Sequence, residues 1–260
     1  MAGFTLITGA TGGLGQAFAR ASLEGGRDVI LSGRDRHALG ELQLDLSAAF
    51  PGRRVEFLTA DLGDANAATT LWDAAEALGP IDILVNNAGL GAHGPFAGAN
   101  DAREDLSIAV NVLAATALMR CAIRAMTAKG FGRILNVASA AGYMGGPNMA
   151  VYHATKAYLL TLADGVRPEL AGTGVTVTTL CPGATQTGFF DDAEVEQTYL
   201  MWLLPMGNAA EVARVGWQGA IKGRATVITG WVNHLAVLSA RLLPRPWVAW
   251  LLGKFLAKRK

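Results

Sequence analysis

Five apolar or weakly polar residues, FTLIT at 4–8, run directly into TGATGGLG at 8–15 and then into a helix-forming run at 16–23. No other stretch of the chain constrains its fold so strongly. A strand that ends in a glycine loop and restarts as a helix sets the free N–H groups of the helix N-terminus beside an open backbone. Such a unit binds the pyrophosphate of a dinucleotide. Gly9 permits the tight turn, Gly13 the close approach of the phosphates, and Gly15 the packing of helix against strand. Thr11 and Leu14 lie in the same loop and are assigned to the cofactor with them.

The remainder repeats the alternation of short apolar runs with longer amphipathic ones. Strands are expected at 29–32, 55–59, 81–85, 133–139, 175–181 and 225–229, and helices between them. That is one doubly wound α/β domain, its mostly parallel sheet buried on both faces by helices. A length of 260 residues, 51% hydrophobic content and 32 glycines suit it. The net charge of +1 gives no field for nucleic acid. Cys121 and Cys181 each lie in apolar runs and read as free thiols, which fits a reducing, cytoplasmic setting. The N-terminus has no basic leader pattern, and no uncharged apolar run reaches the roughly 20 residues of a membrane span.

The end of the second strand selects the cofactor. In an NAD site an acidic side chain there binds the ribose 2′-hydroxyl. Here Gly33 holds that position and Arg34 follows. A guanidinium in place of a carboxylate suits a 2′-phosphate, so NADP(H) is favoured, with NAD(H) the alternative and Asp35 the group that would then serve the hydroxyl. Asp61 and Leu62 follow the third strand. Asp61 either accepts from the adenine amino group or caps the helix expected to begin near Asn66. NNAG at 86–89 ends the fourth strand, so Asn87, Ala88 and Gly89 are expected to line the cofactor and tie neighbouring strands.

A serine, a tyrosine and a lysine then fall within VASAAGYMGGPNMAVYHATK at 137–156. Ser139 stands at the end of a strand. Tyr152 and Lys156 are four apart, on one helix face. An unperturbed phenol has a pKa of about 10. A neighbouring ammonium lowers it, and the expectation is that Lys156 and a cationic cofactor bring Tyr152 towards neutrality. This is general acid/base chemistry that needs no metal. His93, in GLGAHGPF, is expected to be a loop or substrate-wall residue rather than a second acid/base group.

TGATGGLG at 8–15, NNAG at 86–89, Asn111, Ser139, YHATK at 152–156 and CPG at 181–183 together resemble the short-chain dehydrogenase/reductase family. The resemblance extends to about residue 230. It implies a Rossmann-type domain over 1–230 with sheet order 3-2-1-4-5-6-7. It implies a catalytic tetrad of Asn111, Ser139, Tyr152 and Lys156. Asn111 would serve a proton relay through its helix backbone, and Lys156 would also hold the nicotinamide ribose. Pro182, Gly183, Thr185 and Thr187 would meet the nicotinamide, Thr187 being preferred to Thr185. The family reaction is reversible hydride transfer between NADP(H) and a ketone or secondary alcohol. Members similar to this chain assemble through the apolar helices expected at 106–129 and 151–170, so a homo-oligomer is expected.

Two segments set the substrate. Residues 186–207, with Phe189, Phe190, Tyr199, Met201, Trp202, Leu203, Leu204 and Met206, read either as ordinary core or as a lid suited to an apolar ketone. Residues 231–260 depart from the compact family pattern and mix Trp, Leu and Phe with Arg and Lys, broken by Pro244 and Pro246. Packing on the pocket or on a partner subunit is favoured for this tail over peripheral membrane contact. Two other readings stay open: a silent dinucleotide sensor or scaffold with the same fold, and a membrane-associated lipid or sterol ketoreductase.

Overall fold

The computed structural model describes residues 3–187, 198 and 206–257. Strands β1 (Phe4–Thr8), β2 (Val29–Gly33), β3 (Val55–Thr59), β4 (Ile81–Asn86), β5 (Gly132–Val137), β6 (Val175–Cys181) and β7 (Thr226–Ile228) form one sheet in the order β3-β2-β1-β4-β5-β6-β7. The expected order is therefore the observed one, and every neighbouring pair is parallel. Parallel strands need helical crossovers, and those crossovers cover both faces.

Successive strand residues serve opposite faces. Leu6, Ile30, Leu84 and Ile134 join one core with helices α3 (Ala67–Leu78), α5 (Ala115–Lys129) and α6 (Ala150–Glu169). Ile7, Leu31, Ile83 and Leu135 join the other with α1 (Gly13–Glu24), α2 (Arg36–Ala49) and α7 (Ala209–Ile221). All eight of these strand side chains are fully buried. Asn208 caps α7, accepting from the N–H groups of Ala210 and Glu211.

The helix expected over 106–129 differs in two ways. It begins earlier, as α4 (Asp101–Ile108), because Asn100 caps it through Arg103 N–H and Asp101 and Glu104 complement the first turn. It then passes through a π-helical stretch at Ala109–Ala114 before continuing as α5. The whole helix, Asp101–Lys129, is long and apolar enough to cross a membrane by length and composition. Its buried residues, Leu118, Met119, Ala122 and Met126, belong to the sheet's own core.

Past β7 the chain makes α8 (Trp231–Leu242) and α9 (Arg245–Phe255), with Pro244 at the break between them. Gly145 and Pro147, in the loop before α6, lie against Ala249 and Gly253 of α9. The two helices thus fold back over the C-terminal ends of the central strands, where the strand order reverses between β1 and β4. Ligands bind at that point in doubly wound sheets.

Candidate active site

The loop after β1 is built for close contact. Gly9 has φ +62°, and a Cβ there would lie 2.9 Å from Ala88 Cα. A Cβ on Gly15 would stand 2.2 Å from the Gly9 carbonyl oxygen. Any side chain at position 15 would force α1 off β1. The α1 N-terminus has no side-chain cap, so its N–H groups and dipole remain open to an anion. The Thr8 hydroxyl accepts from the N–H groups of Asn87 and Ala88, at 3.0 Å each. The Asn87 amide donates to the carbonyls of Thr8 (2.8 Å) and Gly9 (3.0 Å). NNAG therefore ties β4 to β1, while Asn86 donates to Asn136 on β5 and to Ala115 on α5.

Gly33, Arg34, Asp61 and Leu62 line the same cavity as the glycine loop. Arg34 is exposed and makes no ion pair among the described residues. Asp35 does not face the cavity: its carboxylate caps α2, accepting from His37 and Ala38 N–H. One of its oxygens, Oδ1, is thus engaged by the helix. The alternative of Asp61 as a helix cap fails. Its carboxylate accepts from Gly63 N–H at 3.0 Å, within a turn, while α3 starts after Asn66 with no side-chain cap.

The four polar residues of the reaction centre come together from three elements. Ser139, at the end of β5, hydrogen-bonds the Tyr152 phenol and lies within reach of the Pro182 carbonyl at 3.3 Å. Lys156, one turn along α6, has its Nζ 5.7 Å from the Tyr152 ring centroid and donates to the Val137 carbonyl at 2.9 Å. Asn111 lies in the π-helical stretch. Its Oδ1 accepts from Leu90 N–H (2.9 Å), and its Nδ2 donates to the Leu90 carbonyl (2.8 Å) and to Thr155 (3.0 Å). Gly89 marks the convergence: a Cβ there would lie 3.1 Å from Lys156 Nζ and 3.3 Å from Asn111 Oδ1.

The electrostatics are those of the cofactor-free protein. Burial pushes the Tyr152 phenol up to about 12, against which the Ser139 hydrogen bond acts. Burial likewise pulls Lys156 down to about 8. In both groups desolvation is the largest cause, because burial penalises the charged form. The cofactor-free pair does not carry a lowered tyrosine.

After β6, Pro182 and Gly183 line the cavity beside Asn233 of α8, whose amide nitrogen would be 2.3 Å from a Cβ on Gly183. Thr185 is buried and bonds back to the Gly183 carbonyl. Thr187 stands against the glycine loop instead, its methyl 3.2 Å from where a Gly13 Cβ would be. Of the lid, Gln186, Thr187, Thr198, Met206 and Gly207 are described; Phe189, Phe190, Tyr199, Met201, Trp202, Leu203 and Leu204 lie outside the described residues.

The cavity holds about 630 Å³, within the range of small-molecule sites. Its far wall comes from the tail, with Val232, Asn233, Val248, Leu252 and Phe255, facing Met144 and Met149. None of these was singled out as a site residue in the sequence. The spacing of Val248, Leu252 and Phe255, at i, i+4 and i+7, is a helical stripe that could have been read. His93 does not line the cavity; it bonds the Leu256 carbonyl at 2.8 Å and so holds the tail. Cys121 and Cys181 are free, as expected.

A family model described as short chain dehydrogenase matches residues 4–198. The chain belongs to the short-chain dehydrogenase family. A ketoacyl reductase from Nostoc sp. (strain PCC 7120 / SAG 25.82 / UTEX 2576) is 35% identical over 226 residues, 86% of this chain and 76% of that protein. A solved short-chain dehydrogenase from Sphingobium yanoikuyae in complex with NADPH superposes with a TM-score of 0.81 at 28% identity, covering 92% of this chain and 93% of its own. Another, from Burkholderia phymatum in complex with NAD, reaches 0.81 at 27% identity over 99% and 97%. As a short-chain dehydrogenase the protein is an oxidoreductase of carbonyl and alcohol groups. Helices α8 and α9 lie beyond the stretch that the family model matches.

Proposed function

We propose that this short-chain dehydrogenase reduces an apolar ketone, a 3-ketoacyl chain being the first candidate, with NADPH as donor. The observation that carries the reading is the convergence of Ser139, Tyr152 and Lys156 at the inner end of a cavity whose other end is the glycine loop. The residues present fit a dinucleotide. The close approach at Gly9 and Gly15 leaves bare backbone for a pyrophosphate, and Arg34, without an ion pair among the described residues, is a cation beside the place of the ribose. Gly13 and Thr187 would flank the phosphates, Asp61 and Leu62 the adenine, Asn87 to Gly89 the central portion, and Pro182 and Gly183 the nicotinamide. Solved relatives that hold NADPH and NAD support both nucleotides as ligands, and Arg34 favours the phosphorylated one.

The cofactor supplies hydride for the carbonyl carbon. Ser139 holds the carbonyl oxygen by hydrogen bond. Tyr152, protonated at neutral pH because its pKa is about 12, gives that oxygen its proton. Lys156 fixes the ribose and steadies the phenolate left behind. The π-helical stretch at Asn111 supports reprotonation, since carbonyls released from the regular ladder can hold water. Met144, Met149, Val248, Leu252 and Phe255 exclude water and favour an aliphatic chain; the ketoacyl reductase relative supports the same class.

NADPH oxidation against 3-ketoacyl, aromatic and steroidal ketones tests the reading. Turnover with at least one apolar ketone, reduced about 10³-fold in Tyr152→Phe with NADPH binding retained, is expected. Undiminished turnover in that variant, or oxidation of no ketone in the panel, counts against it.

A further inference from the structure

The two tail helices have inner faces on the cavity and outer faces that no other described residue covers. On α8, Trp231, Leu235, Leu238 and Leu242 repeat at helical spacing and are 52–75% exposed. On α9, Trp247 and Trp250 are 64–68% exposed. These six side chains lie on helices joined by a two-residue break. Single exposed leucines are ordinary on a protein surface; a group of six with three tryptophans is not.

Charge identifies the occupant. From residue 231 onward the chain has six Lys/Arg and no Asp/Glu. Arg241, Arg245 and Lys254 lie on the helices, and the sequence continues with Lys258, Arg259 and Lys260 outside the described residues. Residues 1–230 hold the other 16 basic side chains against 21 acidic ones, so the positive charge is concentrated in the tail. Lys254 sits 3.8 Å from the Trp250 ring centroid, so cation and aromatic ring share one surface. Exposed tryptophans and leucines flanked by Arg and Lys fit a headgroup layer of negative charge, where the rings sit at the interface and the cations meet the lipid phosphates. A second copy of the chain fits less well. A two-fold contact would press this patch against itself and bring like charges together.

We propose that the outer face of α8 and α9 docks on an anionic lipid surface. The surface is distinct from the catalytic site, and the proposal does not depend on the reductase reading. Docking would place the cavity's tail wall about one helix diameter, ~10 Å, from the lipid. An apolar substrate held in that lipid would then lie next to the pocket that its chain fits.

The full-length protein is sedimented with vesicles of phosphatidylcholine alone and with vesicles containing about one-third phosphatidylserine. Co-sedimentation with the anionic vesicles at low salt, release on adding about 0.5 M salt, and a blue shift of tryptophan emission are expected. Arg245→Gln with Lys254→Gln should weaken partition about 30-fold, the effect of two cations at a lipid surface. Trp247→Ser with Trp250→Ser should abolish the partition, while NADPH binding stays as in the native protein. Should either pair fail to fold, the native protein's own partition and salt release decide. No co-sedimentation at low salt, or equal partition into neutral vesicles, overturns the proposal. So does a dimer, seen by sedimentation velocity, that dissociates on the two tryptophan substitutions, because the face would then belong to a second copy.

Discussion

His93 Nε2 lies 2.8 Å from the carbonyl oxygen of Leu256, 163 residues away in sequence. The loop after β4 therefore holds the last turn of the tail, the turn that presents Phe255 to the cavity. Replacing His93 with Ala removes a bond of about 1 kcal/mol and frees the tail without touching the reaction centre. The KM for an apolar ketone should rise several-fold, with kcat and NADPH affinity close to native values in steady-state kinetics. A collapse of kcat at unchanged KM would show instead that His93 acts on the chemistry.

Arg34→Ala tests the cofactor preference. Only NADPH has the 2′-phosphate that a guanidinium grips, and charge-assisted bonds of this kind contribute about 1.5–3 kcal/mol. Titration should show NADPH binding weakened about 10- to 100-fold and NADH binding nearly unchanged. Equal losses would move the 2′-phosphate elsewhere. Asp35 should not take over, because it is engaged in capping α2.

The tyrosine's raised pKa sets the pH dependence. The phenol stays protonated until the pH nears about 12, so proton donation to a ketone should not become limiting for lack of a proton at any ordinary pH. Reduction should accordingly show no loss assignable to Tyr152 titration between about pH 6 and pH 9. Oxidation of the alcohol needs the phenolate and should rise with pH over the same range. The ratio of the two rates, measured on one substrate pair, checks the direction.

Lys156 makes the cofactor-free protein's stability depend on pH. Its pKa is about 8 when folded and about 10.5 when unfolded. Between those values the unfolded chain binds the extra proton, so this group's contribution to stability rises with pH through that window. Below about pH 8 it reaches a constant deficit of about 3 kcal/mol. Lys156→Met should therefore be more stable than the native protein at pH 7, and the difference should shrink towards pH 10. Denaturant unfolding of both proteins at the two pH values gives the comparison.

Gly15→Ala should be severe. Its methyl would stand 2.2 Å from the Gly9 carbonyl, a backbone atom that cannot swing aside. Overpacking of this kind costs about 1–3 kcal/mol, and the displaced α1 would no longer aim its N-terminus at the phosphates. Thermal melting should fall by several degrees, and affinity for both NADPH and NADH should drop together, in contrast to Arg34→Ala.

Local rules made much of this protein legible before its folded form. The glycine loop between β1 and α1, the apolar pairs such as Leu6–Ile7 and Leu84 beside Ile83, and the Asn208 cap all follow from neighbours within a turn or two. What escaped depended on distant contacts. The π-helical stretch around Asn111 is fixed by bonds to Leu90 and Thr155, neither of which is close in sequence. The rise of the Tyr152 pKa in the cofactor-free protein could not be read from the sequence, because burial is a property of the whole site, whereas the Lys156 spacing is local. Pro244 and Pro246 announced the break in the tail. The face that α9 would turn inward could not be known until Pro147 and His93 were seen to meet Gly253 and Leu256.

The wall supplied by α8 and α9 contains no strand and donates no group to the reaction centre. One wall of the cavity and the expected tetrad are therefore carried on separate pieces of chain. A tail grafted from a relative, or shuffled over residues 231–257, can alter what enters the pocket while the sheet, the nucleotide cradle and the tyrosine stay as they are. Selection for a new ketone has a short, terminal and replaceable target, and a library confined to it spares the residues on which folding depends.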